Sequence, residues 1–247
     1  MSQVEVHFLG SGDNFGSGGR FQTCIYVKSD TASFLIDCGA SSLIAMRRFG
    51  VAPSLIDLIL VTHLHGDHFG GVPFFILDAQ LISRRTRPLV VAGPPGLAAR
   101  IYQAMEAFFP GLSQTQQRFA ITFRELPEKI PTTIGSLTVT PYSVVHASGA
   151  PAYALRVECG GKVVTYSGDT EWTDSLIQAA HGADLFICEA YYFDKQMKYH
   201  LSYRTLMDHR TELGCRRVIL THMSEDMLQR LQGIDAEWAD DGKRIIL

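Results

Sequence analysis

A chain of 247 residues, 46% of them hydrophobic, is long enough to bury a substantial core. Its formal net charge of -3 is close to neutral and implies no bulk electrostatic pull toward nucleic acid or anionic membrane. Five scattered cysteines (Cys24, Cys38, Cys159, Cys188 and Cys215) form no CxxC pair, which argues against a disulfide framework or a cysteine zinc site and suits a reducing compartment. No linker-like or low-complexity stretch divides the sequence, so a single domain over residues 1–247 is expected. No basic leader or apolar run of membrane-spanning length is present, and a cytoplasmic protein without a membrane partner is expected.

Residues 4–9 read as a strand that enters a glycine-rich loop ending at Arg20. The loop lacks the Gly-Lys-Ser/Thr close of a Walker A motif and opens no helix, but its N–H groups and Arg20 suit contact with a substrate anion. Residues 24–28 and 33–36 read as paired strands, 41–49 as a helix capped by Ser41 or Ser42, and 58–61 as a buried strand. A helix over 69–83 accommodates Pro73 in its first turn; a strand at 89–92 and a helix at 97–108 follow. Beyond residue 119 come strands at 120–124, 137–142, 152–157 and 163–166, with Gly160-Gly161 as a hairpin turn. A strand at 184–188, a helix at 203–213, a strand at 217–220, a short helix at 227–231 and a closing hairpin around residues 239–242 complete the chain. The alternation predicts a layered α/β architecture.

The stretch Thr62-His63-Leu64-His65-Gly66-Asp67-His68, placed directly after an apolar strand, concentrates three imidazoles and a carboxylate. Such groups are costly to bury without partners, so they read as metal ligands. The strand end would present His63 and His65 on one side, and Gly66 would turn the chain so that Asp67 and His68 open the next helix beside a second metal. Imidazole with carboxylate suits zinc, with iron or manganese as alternatives. His146, Asp169 and His222 stand after later strands, where ligand sites collect in sheets of this kind. Asp37 reads as an outer carboxylate or a turn residue.

The series FLIDCG, THLHGDH, a later His, SGDT and LTH resembles the metallo-β-lactamase-fold hydrolases nearly end to end. That resemblance implies an αββα four-layer sandwich and two divalent metal ions. It also implies that His63, His65 and His146 hold the first, that Asp67, His68 and His222 hold the second, and that Asp169 bridges them. Within the superfamily, FLGSGDNFGSGGR, VTHLHGDHFGGVPFFI and Cys188-Glu189-Ala190 followed by His200-Leu201-Ser202 are similar to the ribonuclease Z and phosphodiesterase branch. This likeness gives His200 the role of general acid and Glu189 the task of orienting it. A homodimer is a further expectation from resemblance.

Two departures from ribonuclease Z stand out. Asp37-Cys38-Gly39-Ala40-Ser41 lacks the Glu and Gln of the branch pattern FDCGEGTQ, and the gap between His146 and Asp169 is too short for a tRNA-gripping arm. The expected function is therefore a dinuclear metal-dependent phosphodiesterase acting on a small phosphodiester or nucleotide-like molecule rather than RNA. Two cations would bring a shared water toward a neutral pKa, and Asp67 would orient or deprotonate it. A lactonase, thioesterase or β-lactamase shares the site chemistry, and a non-catalytic metal-binding sensor is the alternative of another class. Phe15, Phe74, Phe75 and Tyr192 read either as pocket lining or as core.

Overall fold

The computed structural model describes residues 3–247. Among these, the strands form two seven-stranded sheets. The first runs in chain order through β1 (Glu5–Gly10), β2 (Cys24–Lys28), β3 (Ser33–Ile36), β4 (Leu58–Leu60), β5 (Leu89–Gly93) and β6 (Ile121–Glu125). The second is likewise sequential: β7 (Thr132–Ile134), β8 (Leu137–Val144), β9 (Ala152–Cys159), β10 (Lys162–Tyr166), β11 (Leu185–Glu189), β12 (Val218–Thr221) and β13 (Glu237–Trp238). The last strand, β14 (Arg244–Ile246), returns to the first sheet beside β1.

Strand alternation sorts the side chains into layers. Val27, Phe34, Ile36, Leu58 and Leu60 of the first sheet meet Leu155, Val164, Tyr166, Leu185 and Ile187 of the second in the central core. Their neighbours Cys24, Tyr26, Leu35 and Ile59 face outward onto α1 (Ser42–Arg48), α3 (Val72–Leu81) and α4 (Leu97–Phe108), which follow and precede the one-turn helix α2 (Gly66–Phe69). Phe186, Cys188 and Leu220 similarly cover α5 (Ser175–Ala180), α6 (Tyr203–Asp208) and α7 (Glu225–Leu228). The result is the expected αββα sandwich. No helix among the described residues is long and apolar enough to cross a membrane.

Four local expectations are corrected. The helix expected over 69–83 is broken at Gly70-Gly71, because Gly71 lies against the preceding loop: its N–H donates to Cys38 O at 2.8 Å. The helix expected over 203–213 stops at Asp208, where His209 leaves to stack on Trp172 with ring centroids 4.0 Å apart. The short helix expected at 227–231 lies at Glu225–Leu228. The closing hairpin does not exist, since β13 pairs with β12 and β14 with β1, so residues 239–243 carry the chain from one sheet to the other.

The close approach at Gly71 yields a measurable expectation. A Cβ there would stand 2.2 Å from Gly39 O and 2.8 Å from Cys38 O, both backbone atoms that cannot swing aside. Gly71→Ala is expected to lower stability by about 1–3 kcal/mol, read as a shift in urea midpoint. An unchanged midpoint would mean that this contact does not hold α2 in place.

Candidate metal centre

One edge of the sandwich gathers the chemistry. Asp37 follows β3, residues 62–68 follow β4, His146 follows β8, Asp169 follows β10, Glu189 ends β11 and His222 follows β12. Asp67 and His68 sit in the single turn of α2, directly beyond His65.

These side chains fall into adjoining groups whose potential ligand atoms lie within 4.8 Å of one another: His63, His65 and His146; Asp67, His68, Asp169 and His222; and His146, Asp169 and His200. Asp169 stands between them. Its Oδ2 is 3.8 Å from His63 Nε2, 3.9 Å from His146 Nε2 and 3.3 Å from His222 Nε2, while Oδ1 is 3.3 Å from His68 Nε2. Ligands at zinc distances stand about 3.3 Å apart around a tetrahedral ion.

The donor set fits divalent metal on a further count. His63 Nε2, His68 Nε2 and Asp169 Oδ1 are buried and make no hydrogen bond among the described residues. Carboxylate oxygens stand 3.2 and 3.3 Å from His68 Nε2 without hydrogen-bond geometry. Buried polar atoms are normally satisfied, and these unpaired atoms belong to groups whose potential ligand atoms lie within 4.8 Å of one another, as a cation requires.

In His63, His68, His146 and His222 the Nδ1 atom has a partner. His68 Nδ1 lies 2.6 Å from Asp37 Oδ2, and Asp37 accepts the Thr62 N–H and hydroxyl, each at 2.8 Å. Asp37 thus backs the His68 ring, buried and held at φ 59°. Thr62 Oγ1 also lies 3.0 Å from His63 Nδ1, Thr23 Oγ1 lies 3.2 Å from His222 Nδ1, and Tyr199 O accepts from His146 Nδ1 at 2.9 Å. Such partners fix tautomer and ring orientation. Sequence reasoning gave no role to Thr23, Thr62 or Tyr199. Only Thr62, inside the motif, carried a local signal.

His200 stands beside these groups. Its Nδ1 lies 3.0 Å from Oε2 of the fully buried Glu189, whose other oxygen accepts the Thr170 N–H, and its ring stacks on Tyr191 at 4.4 Å. Arg20, expected to contact substrate, has intramolecular partners. Its guanidinium donates to Ala239 O at 2.8 Å and pairs with Asp240, which ties it to the crossover loop. Phe75 is core, Phe74 packs on Phe108 and Phe109, and Phe15 is exposed.

Burial holds His63, His65 and His146 below the ordinary imidazole range, leaving them neutral and ready to ligate. Burial also pulls on His68 and His222, but Asp169 and Asp67, with Asp37 at His68, outweigh it and raise both; His68 stands well above its ordinary value. Asp169 is in turn held well below the carboxylate range, its burial overcome by His222 and His68. Both shifts favour the protonated rings of His68 and His222 when no cation is bound. Metal entry at neutral pH is therefore expected to release protons. Calorimetric zinc titrations in buffers of differing ionisation enthalpy should give buffer-dependent heats, and identical heats would refute the release.

A family model described as Anti-Pycsar protein Apyc1 matches residues 4–237. The chain belongs to the Anti-Pycsar protein Apyc1 family. This Apyc1 family member is 25% identical to ribonuclease Z of Agathobacter rectalis over 92% of the chain and 89% of that protein. The short form of human tRNase Z superposes with a TM-score of 0.78 at 25% identity, covering 98% of both chains. The metallo-β-lactamase fold protein YhfI from Bacillus subtilis superposes at 0.77 with 21% identity, covering 98% of this chain and 99% of its own, a likeness of fold. The Apyc1 family member thus has the metallo-β-lactamase fold and is related to the ribonuclease Z and phosphodiesterase branch, as the motif series implied.

Proposed function

We propose that this protein is a metal-dependent phosphodiesterase acting on a small phosphodiester, with nucleotide-like molecules as the natural size class. The observation that carries this reading is the position of Asp169 between two groups of imidazoles, with His200, backed by Glu189, beside it. His63, His65 and His146 would hold one ion, Asp67, His68 and His222 the other, and Asp169 would serve both. Bound zinc, or manganese or iron in its place, would supply Lewis acidity that generates a nucleophile near neutral pH and offsets charge on the phosphoryl oxygens.

The chain's own groups supply the rest. Burial raises the Asp67 carboxyl, but His68 and His222 more than compensate and hold it below the usual range, so it is ionised at neutral pH and able to accept a proton from the attacking water. His200 donates a proton to the leaving oxygen, and the Glu189 carboxylate at its Nδ1 fixes which ring nitrogen faces the reaction. Between His146 and Asp169 the chain builds only β9, the Gly160-Gly161 turn and β10. Nothing projects there to grip an RNA fold, which favours a small substrate.

Turnover of bis(p-nitrophenyl) phosphate by the zinc or manganese protein tests the proposal, with a precursor tRNA, nitrocefin and a lactone as rivals. Metal-dependent phosphodiester cleavage lost in Asp67→Ala supports it. Turnover confined to nitrocefin or the lactone, or metal binding with no turnover, overturns it.

A further inference from the structure

Glu171 follows Asp169 and Thr170 on the loop after β10 and belongs to none of the groups above. It nevertheless joins three loops of the centre. Its N–H donates to Val145 O at 3.1 Å, and Thr170 Oγ1 accepts from Val145 N at 3.0 Å, so the residue before His146 is clasped on both sides. Its Oε1 accepts the N–H of Tyr199 at 2.8 Å.

Tyr199 is where this clasp meets the metal ligands. It stands at φ 72°, a conformation a bulky residue keeps only when its surroundings impose it. In that conformation its N–H points to Glu171 and its carbonyl to His146 Nδ1 at 2.9 Å. The turn leading to His200 is otherwise closed by a long 3.3 Å bond from His200 N to Met197 O. The carboxylate therefore bears on the backbone orientation of one residue, and that residue orients His146 and precedes His200.

We propose that Glu171 is a positioning residue. By holding the Tyr199 backbone it fixes which nitrogen His146 turns toward the ion of the His63, His65 and His146 group, and where His200 enters the site. The inference rests on the reading of His146 as a ligand given above.

The test is a Zn2+ titration against a chromophoric chelator, with Co2+ absorption spectra alongside, on the wild type and on His146→Ala, Glu171→Ala, Glu171→Gln and Glu171→Ala combined with Tyr199→Gly. Circular dichroism of the metal-free proteins verifies folding. Glu171→Ala is expected to weaken one of two sites by about 10–100-fold, the usual effect of removing an outer partner of a metal ligand, and to alter the Co2+ spectrum. Glu171→Gln keeps an acceptor oxygen for the Tyr199 N–H and recovers most of the affinity. Tyr199→Gly recovers part of it in the Glu171→Ala background, because glycine adopts the left-handed conformation without strain. Two unchanged sites in Glu171→Ala, equal weakening of both, or a glutamine variant as impaired as the alanine one overturns the role of Glu171. A wild type that takes no zinc, or a His146→Ala protein that keeps both ions, overturns the ligand assignment itself and the inference with it.

Discussion

Asp169→Ala is expected to remove both metal ions and with them all metal-dependent turnover. The reason is positional: Oδ1 and Oδ2 stand 3.3 to 3.9 Å from His63, His68, His146 and His222, so one carboxylate faces both imidazole groups. Removing an outer partner of a ligand costs about 10–100-fold in affinity or activity, and loss of a shared ligand should exceed that at each ion. Stability separates this effect from misfolding. A ligand that binds only the folded state adds about 2.7 kcal/mol at a hundredfold excess over its Kd, so zinc should raise the Tm of the wild type and leave that of Asp169→Ala unmoved. A variant that retained two ions and wild-type turnover would refute the bridging role proposed for Asp169.

Those residues were legible in the sequence because short-range order carries them. His63, His65, Asp67 and His68 share one strand end and one helical turn, and His146, Asp169 and His222 each follow an apolar strand whose direction aims its end at the same edge. The residues that orient them are a different matter. Thr23 meets His222 across nearly the whole chain, and Tyr199 acts on His146 through a carbonyl, which no side-chain pattern encodes. The partners of Arg20 are hidden for a related reason: Asp240 and Ala239, brought in by the crossover of β13 and β14 to different sheets, meet its guanidinium. The same crossover hides in a sequence that reads as a hairpin, because turn residues signal a change of direction and not a change of partner.

The expected effect of His200→Ala depends on what leaves. A positioned general acid contributes typically 10²–10⁴-fold, but only when the departing oxygen needs a proton. An alkyl or sugar alkoxide needs one; p-nitrophenolate is stable enough to depart alone. His200→Ala should therefore lose about 10²–10⁴-fold on an alkyl or nucleoside phosphodiester and much less on bis(p-nitrophenyl) phosphate. Glu189→Gln should follow the same pattern in smaller measure, since it keeps a group at His200 Nδ1 but changes the partner that orients the ring. The pH profile supplies a second reading. An acid acts only when protonated, so in the wild type the rate on the poor leaving group, relative to the good one, should fall as pH rises through the His200 pKa. Burial lowers that pKa from the ordinary imidazole value, which moves the fall toward the acid side. In His200→Ala the ratio should be independent of pH. Equal losses on both substrates would instead mean that His200 acts on the metal centre or on substrate binding, and the acid would have to be sought elsewhere.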